Sequence, residues 1–296
     1  MSLVVNHNMM ALNASRNLND SYGRLATSVR RLSSGLRVGV AADDAAGMAI
    51  RELMRADIAT MKQGVRNASD AISMIQVADG ALQIIDEKLI RMKELAEQAA
   101  TGTYNSTQRL MIESEYQAMA SEITRIANAT TFNGVKLLDG TLSGKHDGSQ
   151  LEAKGELKIH FGVGNHSAED YYFIAIGSAT ASSFGLGNQA NPEFGGFCVS
   201  TQDAAQAALE AINQAIVSKD KIRAALGALQ NRLENTISNL QTTAENLQAA
   251  ESRISDVDVA TEMTEFVRNQ ILTQAAVAML TQANSLPQMA MQLIGG

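Results

Sequence analysis

The chain has 296 residues, of which 45% are hydrophobic, only 4% are aromatic and none is Trp. Its apolar content is mostly Ala, Leu, Ile, Val and Met, which suits helix–helix seams better than sandwich cores, and two prolines leave room for long helices. A net charge of -7 gives no basic stripe, which argues against nucleic acid as a partner, and no apolar run is long enough to cross a bilayer.

Neither Met1–Ser15 nor Asn269–Gly296 contains an Asp, Glu, Lys or Arg. Between these ends the chain reads as helical flanks around a different middle. The first stripe, Leu18, Tyr22, Leu25, Val29, Leu32 and Leu36, alternates spacings of four and three, a coiled-coil seam. Gly35 and Gly39 interrupt it, and Asp43 and Asp44 are placed to cap a helix starting near Ala45. Periodicity resumes through Met54, Ile58, Met61, Val65, Ala68, Ile72 and Ile75. After a three-residue stammer it continues through Ala78, Leu82, Ile85, Leu89, Met92, Ala96 and Ala99. Thr101-Gly102-Thr103 ends that helix, a second spans about 107–128, and Asn133-Gly134 marks a turn.

Residues 140–200 hold 11 of the 22 glycines and three of the four histidines, so a loop-rich region is expected there. Within it Leu157, Ile159, Phe161 and Val163 alternate with polar or small residues, and Tyr171–Ile176 is rich in strand formers. This predicts a β-hairpin with a several-residue loop. Ser200-Thr201-Gln202-Asp203 then reads as a capping-box variant opening a helix with seam residues Leu226, Leu229, Leu233, Ile237, Leu240, Ala244, Leu247 and Ile254. The polar break Ser255-Asp256-Val257-Asp258 precedes a last heptad of Leu272, Ala276, Met279, Ala283, Leu286, Ala290 and Leu293, in which Pro287 is expected to bend the helix.

The expected fold is thus mainly α, with long antiparallel helices, a terminal coiled coil and a small β-hairpin region in the middle. Two domains follow: 1–44 with 255–296 as a coiled-coil core, and 45–254 as a helical bundle that includes the hairpin and loop segment 131–199. Residues 1–40 carry net +4 and 255–296 net -3, which helps orient the ends toward each other. Exposed ion pairs contribute only ~0–1 kcal/mol each, against roughly 1.5–3 kcal/mol for each large apolar side chain buried. Isolated helices with so few charges are marginal in water, so the ends are expected to be covered by partner copies.

Catalytic chemistry finds little support. His7, His146, His160 and His166 form no HExxH, and the lone Cys198 has neither a CxxC nor a disulfide partner. Gly185-Leu186-Gly187-Asn188-Gln189-Ala190 matches a dinucleotide fingerprint on paper, but Pro192 follows and no βαβ pattern surrounds it, so a loop is expected. The 14 methionines read first as flexible core filler. No enzyme activity, cofactor or metal is expected, and no cationic segment precedes an apolar stretch as in a cleavable signal.

With those residues in place, the chain resembles bacterial flagellin, the subunit of the flagellar filament. The resemblance lies in Leu12-Asn13-Ala14 through Leu32-Ser33-Ser34-Gly35, in Ala41-Ala42-Asp43-Asp44-Ala45-Ala46-Gly47, in Arg91-Met92-Lys93-Glu94-Leu95-Ala96 and in Thr131-Phe132-Asn133-Gly134-Val135-Lys136-Leu137-Leu138. It returns in Ala250-Glu251-Ser252-Arg253-Ile254-Ser255-Asp256-Val257-Asp258 and from Gln282-Ala283-Asn284 to Leu293. The short middle resembles a minimal form with only the two inner domains. The resemblance implies a self-polymer for motility, built on Leu18, Leu25, Val29, Leu32, Leu272, Met279, Leu286 and Leu293, outside the cell and without membrane insertion. It implies export unfolded through the flagellar type III apparatus, with an export chaperone, filament cap and junction proteins as partners. It also implies recognition by Toll-like receptor 5 at Arg91, Leu95 and Glu115. A hook–filament junction protein, which shares terminal heptads, and a helical signalling hairpin are the alternatives.

Overall fold

The computed structural model of the chain describes residues 8–147, 149, 155–167, 169–186 and 198–294; at 286–288 and 290–294 the backbone alone is described. Five long helices carry the fold: α1 (Met9–Ser34), α2 (Ala45–Ala100), α3 (Ser106–Ala129), α4 (Gln202–Ser255) and α5 (Val259–Ile294). Two separate antiparallel hairpins lie between α3 and α4 in sequence: β1 (Thr131–Phe132) with β2 (Val135–Lys136), and β3 (Leu157–His160) with β4 (Tyr171–Ile174). The mainly-α expectation and the predicted hairpin are both observed. The chain divides into two compact units, Met1–Ile58 with Glu245–Gly296, and Ala59–Ala244.

In the second unit the core follows the predicted heptad. Ala78, Leu82, Ile85, Leu89, Met92, Ala96 and Ala99 of α2 are all fully buried, together with Tyr116 and Ile123 of α3, Ile174 of β4, and Ala208 and Ile212 of α4. Polar bonds fix the antiparallel register around that core. Arg223 of α4 pairs with Asp79 of α2 at 2.7 Å, and Lys219 meets Asp86 at 2.5 Å and Asp220 at 2.8 Å. The Lys219 side chain is only 3% exposed. Burial pulls its ammonium toward neutrality, but the hydrogen bonds to Asp220 and Asp86 outweigh that and hold it above the ordinary lysine range. The Arg223 hydrogen bond likewise holds the Asp79 carboxyl below its usual range despite partial burial.

Helix ends show why the elements stop where they do. Asn105 and Gln108 form a capping box at the start of α3, and Arg109 reaches back to the Ala99 and Thr101 carbonyls at the end of α2. Asn133 and Gly134 both take positive φ in the β1–β2 turn, the geometry that an Asn-Gly pair favours. The cap of α4 falls one residue later than the predicted box: the Thr201 hydroxyl accepts from Ala204 N, so Asp203 lies inside the first turn without closing a box. Buried Glu113 accepts from Val199 N and from Gln117 Nε2, holding the approach to α4 against α3. Gly64 is needed because a Cβ there would stand 2.0 Å from the Phe161 carbonyl oxygen, just beyond β3.

Candidate assembly surface

In the first unit α1 and α5 run antiparallel, Asn8 lying beside Ala283 and Arg31 beside Glu262. The two predicted breaks meet. Gly35 adopts φ 73° and closes α1, and Leu36 forms an isolated antiparallel bridge with Asp256. Arg37 N donates to Ser255 O at 2.7 Å, and Val257 N donates to Gly35 O at 3.0 Å. Asp258 then caps α5, and its bonds from the Thr261 hydroxyl, Thr261 N and Ala260 N hold its carboxyl below the usual range.

The paired acids Asp43 and Asp44 divide their work. Asp44 caps α2, as expected, by accepting from Gly47 N at 2.9 Å. Asp43 does not cap the helix; it folds over the preceding loop, accepting from Gly39 N and Val40 N and pairing with Arg30 at 2.7 Å. Buried Arg51 completes this corner by donating to Val38 O. Of the opposite charges expected to orient the ends, only Arg31–Glu262, at 3.6 Å, bridges α1 and α5 among the described residues.

The other end of the pair is tied by a side-chain donor to an open helix carbonyl. Pro287 has no N–H, so the Ala283 carbonyl, four residues before it, loses its helical donor. Asn8 supplies one: its Nδ2 donates to Ala283 O at 2.7 Å while its Oδ1 caps α1 through Ala11 N. The element α5 runs on through Pro287 to Ile294, so the proline is accommodated by a donor from the opposite helix.

Among the described side chains, each terminal heptad is only partly covered within the chain. Leu18, Leu25 and Leu32 are half-buried with Ser28 between them, whereas Tyr22 and Val29 are 52% and 49% exposed. On α5 the covered stripe is Phe266, Asn269, Thr273, Ala276, Leu280 and Ala283. The predicted seam shares only Ala276 and Ala283 with it, and Leu272 and Met279 face outward at 46% and 62% exposure. A single partner helix covers one narrow stripe, while apolar residues surround α5 on every side, so the outer stripes stay open. The side chains of Leu286 and Leu293 lie outside the described residues. Beside the pair, a polar groove of about 710 Å³ is lined by Arg24, Arg31, Glu262 and Asn269, among others. The Arg31 Nε is buried there with no acceptor among the described residues.

The second unit brings two of the three predicted receptor residues together. Arg91 on α2 and Glu115 on α3 pair at 2.8 Å on the exposed surface, with Glu94 on the other side of Arg91 at 2.9 Å. Leu95 does not join them: it points into the core at 1% exposure, one turn along the buried stripe. Cys198 is half-buried, and Gly185 and Leu186 lie in a turn, while 187–190 of the glycine-rich match lie outside the described residues. No group of three His, Cys, Asp or Glu that could hold a metal occurs among the described residues. No described helix is long and apolar enough to cross a membrane.

Long antiparallel helices with an apolar, half-covered terminal pair define a helical structural protein of the self-associating kind. The comparisons make this specific. Residues 5–143 match the bacterial flagellin N-terminal helical region and residues 209–294 match the bacterial flagellin C-terminal helical region, so the chain belongs to the bacterial flagellin family. It is 41% identical to the flagellin of Halalkalibacterium halodurans over 292 residues, covering 99% of this chain and 100% of that one. It is 40% identical to the flagellin of Bacillus subtilis over 301 residues, covering 98% and 99%. A solved flagellar hook-associated protein of Vibrio parahaemolyticus, so described, shares the fold alone at 15% identity and a TM-score of 0.55, covering 72% of this chain and 100% of that one. The family forms the extracellular flagellar filament by self-assembly, and this chain is a structural subunit of that kind.

Proposed function

We propose that the uncovered halves of the terminal heptads are the polymerisation surface, each copy covering Tyr22, Val29, Leu272 and Met279 of others. In this reading Leu18, Leu25 and Leu32 set the pairing of α1 with α5, and Leu286 and Leu293 extend the seam. Residues 1–44 with 255–296 serve as the coiled-coil core domain of the polymer, and 45–254, including 131–199, as its bundle domain. The observation that carries this is the split heptad itself: some of its described positions pack against a helix of the same chain, and the others are apolar and open to water. An open stripe of that kind is an interaction surface in a soluble protein.

The test is removal of residues 270–296, which takes away most of α5. The second unit is expected to keep its helical circular dichroism, and electron microscopy is expected to show no filaments. Long tubes from the truncated chain would refute the assignment.

Family membership supports export through the flagellar type III apparatus, with an export chaperone, a filament cap and junction proteins as partners. It also supports recognition by Toll-like receptor 5 at the exposed Arg91–Glu115 pair. Leu95 would act there only from beneath, by holding the helix. Arg91→Ala is expected to reduce receptor signalling while leaving chain stability within about 0.5 kcal/mol, since exposed pairs contribute little; unchanged signalling would remove the site.

A further inference from the structure

Methionine exposure is uneven in this chain. Of the six open methionines among the described residues, Met9, Met10, Met263, Met279 and Met289 lie on α1 and α5, and only Met111 lies elsewhere, on α3. Met74 and Met92, by contrast, are 2% and 0% exposed in the second unit's core. We propose that the five terminal methionines are a modification site through which peroxides control assembly. This rests on the assembly reading above.

The chemistry is balanced and reversible. The thioether sulfur attacks one peroxide oxygen, an S–O bond forms as the O–O bond breaks, and the departing hydroxide takes the proton from the new S–OH group, leaving the sulfoxide and water. Sulfur loses two electrons and the peroxide gains them. The flexible apolar side chain becomes a polar hydrogen-bond acceptor. Met9 and Met10 lie in a segment without Lys or Arg, as do Met279 and Met289. A sulfoxide oxygen enclosed there finds no cationic donor on its own segment, and each one enclosed weakens association roughly tenfold. The free subunit is therefore the vulnerable form, and the filament shields the same five sulfurs by covering them.

The test uses the full chain carrying Cys198→Ser, so that thiol oxidation does not intrude. Hydrogen peroxide is applied, sulfoxides are located by mass spectrometry, and the critical concentration for seeded growth is measured by sedimentation. Oxidation of free subunits is expected to raise that concentration by roughly tenfold or more. Methionine sulfoxide reductases A and B with dithiothreitol should restore it, and preformed filaments should oxidise at Met111 ahead of the five. A chain with all five changed to Leu should grow equally well before and after peroxide. An unchanged critical concentration despite sulfoxide at the five sites overturns the proposal, as does equal peroxide sensitivity of the Leu chain. If the Leu chain cannot grow at all, reductase treatment of the unsubstituted chain decides, and failure to restore growth overturns it. Failure of the untreated chain to grow would instead bring down the assembly reading, and this proposal with it.

Discussion

The inner stretch of α2 and the terminal pair α1–α5 carry the same sequence signal and meet different fates. From Ala78 to Ala99 every heptad position of α2 is fully buried, because α3, the β3–β4 hairpin and α4 all contribute to one core. In α1 and α5 an equally regular heptad has one partner helix among the described residues, so Leu25 is half-covered while Val29, four residues on, stands open. Periodicity therefore reports that a stripe is to be buried; it does not report how many chains the burial requires. An apolar stripe filled from within stabilises the monomer, and one left partly empty is the surface proposed above to stabilise a polymer.

The contrast is broken most sharply by matched truncations. Leu89→Ala is expected to destabilise the monomer by about 2–5 kcal/mol, measured by urea unfolding, because the cavity lies in a closed core. Met279→Ser is expected to change monomer stability by less than about 0.5 kcal/mol and yet to raise the critical concentration for growth. Comparable monomer losses from both would erase the distinction. Next in size is Gly64→Ala. Its new methyl meets the Phe161 backbone carbonyl, so a loss of about 1–3 kcal/mol is expected, with amide exchange quickening at the base of the β3–β4 hairpin.

A smaller effect sharpens the account of the terminal pair. Asn8→Ala is expected to loosen α1 from α5 by about 1 kcal/mol, by removing both a cap and the donor to Ala283 O. In a Pro287→Ala background residue 287 regains its own N–H, so the cost of Asn8→Ala should shrink; a double-mutant cycle by thermal unfolding reads the difference. The smallest effect concerns pH. The Asp79 carboxyl is held below its unfolded range by Arg223, so its stabilisation is present above that range and is lost as pH falls through the folded value. Asp79→Asn should flatten stability against pH at and below the ordinary carboxylate range, and an unaltered slope would assign the acid loss elsewhere.

Much of this architecture was legible because its signals are local. The α2 heptad, the glycine breaks, the Asn133-Gly134 turn and the alternation at 157–163 each depend on a few neighbouring residues. What stayed hidden depended on distant ones. Asp43 and Asp44 look equivalent in sequence, but only the path of the 39–43 loop gives Asp43 two backbone donors and Arg30. Lys219 reads as a surface residue until Asp86 arrives from a helix 133 positions away. Pro287 announced an orphaned carbonyl, though nothing local named Asn8 as its donor. The rotation of the α5 seam from Leu272 and Met279 to Asn269 and Thr273 had no local signal either, since apolar residues on all sides leave the inward face undetermined.

The most direct measurement is a helical cryo-electron-microscopy reconstruction of the filament formed by this chain, at side-chain detail. Tyr22, Val29, Leu272 and Met279 are expected to lie in van der Waals contact with atoms of adjoining subunits. Finding those four side chains facing bulk water, with growth sustained by other surfaces, would contradict the account.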